Sequence, residues 1–167
     1  MTESPGGPGA GPPAPGSVRP GLALAFATIG FAALSIGGLG VASLVLEKDV
    51  ISAPGFGQAP GVSGMVFALA AFAGSLWAVL RGRHPSFLGG AGAALAAFLV
   101  YLAAVWITGA VQTADPVLAA AAAGILVTNG FAFIVLVAAL IAGWAGVALV
   151  RAHRRRPRWP WEDDESP

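Results

Sequence analysis

The chain has 167 residues, 56% of them apolar and 10% charged, with a formal net charge of +1. Globular proteins carry about a quarter charged residues, and folding buries only about two-thirds of what a chain this size exposes. A water-soluble fold is therefore excluded, and the absence of cysteine also excludes disulfides, thiolate metal sites and cysteine nucleophiles.

Residues 1–20, MTESPGGPGAGPPAPGSVRP, are almost all Pro, Gly, Ser and Ala. They lack the apolar area to offset the entropy of ordering, so a disordered tail is expected. From Gly21 to Leu46 no charge occurs, a run longer than the roughly 20 residues that cross a hydrocarbon core. It is too long for the apolar region of a signal peptide, and it follows a long Pro/Gly segment rather than a short basic one. A retained span is expected, not a cleaved leader. Glu47, Lys48 and Asp49 end it, and Ala-Pro-Gly at 53–55 and 59–61 makes the next connection irregular. The second span is expected over 62–80, stopping at Arg81-Gly-Arg-His-Pro, and the third over 87–109. In the third, Tyr101 and Trp106 each combine an apolar body with a polar tip, and Trp106 is placed near the interface.

Asp115-Pro116 reads as an N-cap followed by proline at the first helical position. From there to Arg151 no charge occurs, and one crossing does not need so many residues. Either the helix is steeply tilted or it breaks between Gly124 and Gly130, around Thr128-Asn129-Gly130. In the second case Val117–Ala123 is an outer segment and the fourth span covers 125–150. No internal repeat is visible. The expected fold is all-α: an integral membrane four-helix bundle over 21–150, with a disordered N-terminal tail at 1–20. A short cytoplasmic C-terminal tail at 151–167 completes it.

Of the nine basic side chains eight are arginines, and all eight fall on one side of the four spans; Lys48 falls on the other. Short connections rich in Lys and Arg stay cytoplasmic, so both termini and the Arg81–His84 turn are expected inside. The same bias argues against dual topology. One lysine beside eight arginines, with abundant Ala, Gly and Pro, fits a high-GC bacterial genome, hence an inner-membrane location.

Intramembrane ionisable groups mark proton relays and charged-substrate sites, because placing them there is costly. The four spans contain no Asp, Glu, Lys, Arg or His, so no catalytic residue, metal site or cofactor is expected, and no enzyme. The outer-loop set of Glu47, Lys48, Asp49 and Asp115 holds no nucleophile–base pair. His84 and His153 have no further metal ligands nearby. Among the remaining polar residues, Asn129, with Thr128 beside it and Tyr101 in the third span, is the candidate for a polar pathway. The alternative is an interhelical hydrogen bond contributing about 0.6 kcal/mol, and a lone Asn beside Gly more often supports packing.

Small residues recur at four-residue spacing: Ala33-Gly37, Ala70-Gly74-Ala78, Gly89-Ala93-Ala97 and Ala138-Ala142-Gly146. Such faces let helix backbones approach in lipid. They serve either the packing of the four helices on each other or docking of another membrane protein or a second copy.

The tail runs Arg151-Ala-His-Arg-Arg-Arg-Pro-Arg-Trp-Pro-Trp-Glu-Asp-Asp-Glu. Each arginine near an anionic surface adds about 1 kcal/mol of attraction. Arg154, Arg155, Arg156 and Arg158, with Trp159 and Trp161, are therefore expected to contact the anionic headgroups of the bilayer or a partner. Arg154-xx-Pro157-xx-Pro160 also fits the basic-xx-Pro-xx-Pro pattern read by polyproline-binding domains. Glu162–Glu165 oppose nucleic-acid binding in cis, so no nucleic-acid partner is expected. The segment RPRWPWEDDE after a final span resembles the C-terminal tails of small uncharacterised four-span membrane proteins of actinobacteria. That resemblance covers the tail and the four-span layout, and it implies no catalytic activity. The expected role is an accessory, scaffolding or assembly subunit. The alternative is a transporter or channel for a small neutral or lipidic solute, with Thr128, Asn129 and Tyr101 near its path.

Overall fold

The computed structural model describes residues 20–47, 59–82 and 85–154. The tail expected at 1–19, Ala-Pro-Gly at 53–55, Lys48, Asp49, Arg83, His84 and the segment from Arg155 onward lie outside the described residues. Five helices follow in order: α1 (Pro20–Leu46), α2 (Ala59–Arg81), α3 (Phe87–Thr113), α4 (Pro116–Thr128) and α5 (Phe131–Arg154). All but α4 are long and apolar enough to cross a membrane. At 27 residues each, α1 and α3 rise about 40 Å, against a hydrocarbon core of about 30 Å. The protein is a multi-pass membrane protein built as a four-helix bundle.

Helix ends follow local chemistry. Pro20, placed in the tail by composition, is the first residue of α1, where its missing N–H costs nothing. Pro60 is tolerated in the first turn of α2 for the same reason, so α2 starts before 62. Ser86 caps α3, its hydroxyl accepting from the Gly89 amide at 3.0 Å. Ala114, in the left-handed region at φ 54°, ends α3 after Thr113, past the expected 109. Asp115 then caps α4: one carboxylate oxygen accepts from Val117 N at 2.9 Å and Leu118 N at 3.0 Å. Replacing it by alanine leaves both amides without acceptors and costs α4 about 1 kcal/mol. We expect Asp115→Ala to speed hydrogen exchange at Val117 and Leu118 about fivefold while α1 and α2 are unchanged.

The charge-free run after Asp115 is two helices rather than one. Asn129 N donates to Ile125 O at 2.9 Å and Gly130 N to Val127 O at 3.0 Å, with Gly130 at φ +83°. Glycine takes that left-handed conformation at no steric cost, and α5 starts afresh at Phe131. Ile125–Thr128, expected in the fourth span, thus belong to α4. Apolar residues flank the break on both sides, so hydropathy alone places the start too early.

Around the bundle the order is α1, α2, α3, α5, with α5 closing back on α1. Helices α2 and α5 also meet across the middle, and α4 lies on α3 with a lighter contact to α5. Phe31 of α1 and Phe72 of α2, both fully buried, stack with centroids 4.8 Å apart. Leu76, Leu80, Tyr101, Phe131 and Val135 are among the other large side chains of the core. The four small-residue series divide. Ala93 and Ala97 of α3, and Ala138, Ala142 and Gly146 of α5, are buried in the bundle. Ala33 and Gly37 of α1, and Ala70, Gly74 and Ala78 of α2, face outward. At one end of the bundle lie Arg81 and Arg151; at the other lie Glu47 and Asp115, the two acids among the described residues.

Candidate functional site at the helix break

The break between α4 and α5 is set within the bundle. Phe133, in the first turn of α5, pairs with Phe98 near the midpoint of α3, their centroids 6.3 Å apart. Ile134 lies against Gly38 in the acidic-end half of α1. Asn129 lies four residues before Phe133, on the α4 side of the break. Non-helical backbone at such a depth persists only where its polar groups find partners, and the two amide bonds at Asn129 and Gly130 supply them.

The side chains there divide their roles. The Thr128 hydroxyl donates to Ile125 O at 3.1 Å, so it is committed to its own helix. The half-buried Asn129 carboxamide makes no hydrogen bond within the described residues. Tyr101, 1% exposed, turns its ring toward α2, where a Cβ on Gly64 would lie 3.0 Å from its Cε2. No hydrogen bond joins Tyr101 to Thr128 or Asn129. A groove of about 340 Å³ does open between α1 and α5, lined by Leu34, Phe133, Ile134, Val137, Ala138 and Ile141. Its walls are apolar, and neither Asn129 nor Tyr101 contributes to it.

Sequence reasoning missed the polar contact nearer the acidic end. Ser63 of α2 and Thr108 of α3 share a hydrogen bond of 2.9 Å, just beside the close approach of Gly64 to Tyr101 and Val105. Two hydroxyls at matching depth were the available signal, readable only once α2 and α3 are paired. Trp106 Nε1 donates to Pro116 O at 3.2 Å and ties α3 to the start of α4. On α1 the Thr28 and Ser35 hydroxyls are buried without a hydrogen-bond partner.

At the arginine end the cations lean on rings. The Arg81 guanidinium lies 5.5 Å from the Trp77 ring centroid, and that of Arg151 lies 5.0 Å from Phe87. Arg154 is the last residue of α5; Arg155, Arg156, Arg158, Trp159 and Trp161 lie outside the described residues.

A protein-family model matches residues 21–167, the bundle and the tail together. The chain belongs to the DUF6121 family, a family of unknown function. No curated protein and no solved structure matches it. Membership in DUF6121 covers all four membrane helices and leaves residues 1–20 outside the match.

Proposed function

We propose that this DUF6121 protein is a non-enzymatic accessory, scaffolding or assembly subunit of the bacterial inner membrane, with both termini cytoplasmic. The outward small-residue series on α1 and α2 carry the reading. Their counterparts on α3 and α5 are used up inside the bundle, while Gly37 and Gly74 have nothing within 4 Å of a Cβ position. In lipid such faces associate by close backbone packing. The separation of Arg81 and Arg151 from Glu47 and Asp115 supports the orientation, since arginine-bearing ends stay cytoplasmic. Its RPRWPWEDDE tail, like those of the actinobacterial four-span proteins it resembles, would meet anionic headgroups or a partner on that side. Affinity purification of the full chain in mild detergent should recover a stoichiometric membrane-protein partner or a homo-oligomer. A clean monomer alone would sink the proposal.

The helix break just before α5 favours a second reading, transport of a small neutral or lipidic solute. Discontinuous helices line solute sites in transporters, and the Asn129 carboxamide is uncommitted at such a break. On this reading Asn129→Ala abolishes flux in liposomes while the circular dichroism spectrum stays unchanged. Retained flux, or none in the parent, removes it.

A further inference from the structure

The seam between α3 and α5 at the arginine end combines features that neither helix has alone. Gly90 and Gly143 bring the two backbones together, a Cβ on Gly143 falling 3.0 Å from Gly90 O. Just beside this crossing Trp144 leans onto Gly90, with its Cδ1 3.4 Å from a Cβ position there, yet 47% of its surface stays exposed. Arg151 lies seven residues further along α5, hence on the same face and about 10 Å nearer the end. Its guanidinium rests on Phe87, the first residue of α3.

That contact biases the position of the cation while leaving its hydrogen-bonding chemistry open. A guanidinium lying over a ring spends its face and none of its five N–H donors. Among the described residues no carboxylate shares this end, because Glu47 and Asp115 lie at the other. A phosphate fits such a planar fork with two parallel hydrogen bonds. Trp144 lies deeper than Arg151 from this end of α5, on the side where an indole suits the boundary between headgroups and acyl chains. Free phosphate or an acidic peptide would use the arginine alone.

We propose that this seam binds an anionic phospholipid, with Arg151, held on Phe87, taking the phosphate and Trp144 the glycerol-ester region. The site requires only that the arginine end meet a headgroup layer, so it stands whether or not the accessory role does. Arg81 is the internal comparison: its ring, Trp77, lies one turn back on the same helix, so no second helix is tied in.

Native mass spectrometry of the full chain in mild detergent, with phosphatidylglycerol or phosphatidylcholine added, tests this. Phosphatidylglycerol should be retained preferentially, and Arg151→Gln, which removes direct hydrogen bonds to a charged phosphate, should weaken that retention about tenfold with phosphatidylcholine unaffected. Phe87→Leu, which keeps the charge but frees the guanidinium, should also weaken it, and this variant carries the test if Arg151→Gln misfolds by circular dichroism. Arg81→Gln should change retention less than twofold. The proposal is overturned by equal retention of the two lipids or by an Arg81→Gln effect as large as that of Arg151→Gln. It also falls if inorganic phosphate in large molar excess over the lipid displaces phosphatidylglycerol, which would make free phosphate the ligand.

Discussion

Gly143→Leu is expected to destabilise the bundle by about 3 kcal/mol. A Cβ at Gly143 would stand 3.0 Å from Gly90 O and 3.5 Å from Gly90 C. Both are backbone atoms, which cannot rotate aside as a side-chain terminus can. The helices must therefore part, and α3 and α5 are held by little except closeness, since lipid tails are as apolar as the side chains they would replace. Parting them also weakens the Phe98–Phe133 pair and lifts Arg151 from Phe87, further along the same seam. Overpacking costs about 1–3 kcal/mol, and a leucine driven into backbone belongs at the upper end. Gly74→Leu and Gly92→Leu provide the contrast, because nothing lies within 4 Å of either Cβ position. Neither should lose stability, and each gains up to about 1 kcal/mol from replacing a helical glycine. Unfolding in mixed micelles under increasing SDS, followed by circular dichroism, measures all three. Equal behaviour of Gly143→Leu and Gly92→Leu would mean that α3 and α5 do not touch there.

The contrast between those glycines also shows what the chain makes legible. Charge-free runs revealed four spans, because lipid excludes charge so strongly that its absence over 20 residues has few other causes. Asp115-Pro116 marked the start of α4 because capping chemistry is local, whereas a break around Thr128-Asn129-Gly130 was only one of two readings of the long charge-free run, the other being a steeply tilted helix. Which way a small-residue series faces was not legible. These helices are apolar all round, so no polar side distinguishes Ala70-Gly74-Ala78, which faces outward, from Ala138-Ala142-Gly146, which is buried. The Ser63–Thr108 bond and the Arg151–Phe87 stack were hidden for a related reason. Each joins residues far apart in the chain, and their meeting depends on interhelical register, which shape complementarity decides. For the candidate site, Asn129 was visible as a lone polar residue at a break. That Tyr101 turns instead toward Gly64 of α2 depended on a glycine whose role appears only in the packed pair.

Phe72→Ala is expected to cost about 3 kcal/mol, and the size of that number carries information. Phe72 and Phe31 are fully buried, with centroids 4.8 Å apart and planes inclined at 41°. They form the main aromatic contact between α2 and α1, the least enclosed span. In a water-soluble core the same truncation combines a transfer loss with a cavity loss, together about 3–5 kcal/mol. Here the transfer part nearly vanishes, because a phenyl ring leaving the bundle enters hydrocarbon. What remains is a cavity of about 100 Å³ at about 24 cal/mol per Å³, roughly 2.4 kcal/mol, plus about 0.5–1.5 kcal/mol for the lost ring pair. Phe72→Leu, which restores most of the volume, should cost less than about 1.5 kcal/mol. The same SDS titration measures both. A loss well above 4 kcal/mol for Phe72→Ala would require water, rather than lipid, as the environment that the ring leaves on folding. A loss near zero would mean that α1 is held by α5 alone, through Ala27 against Gly146 and Gly38 against Ile134. The intermediate value is the one that a lipid-immersed helix pair, packed but not driven together by water, must give.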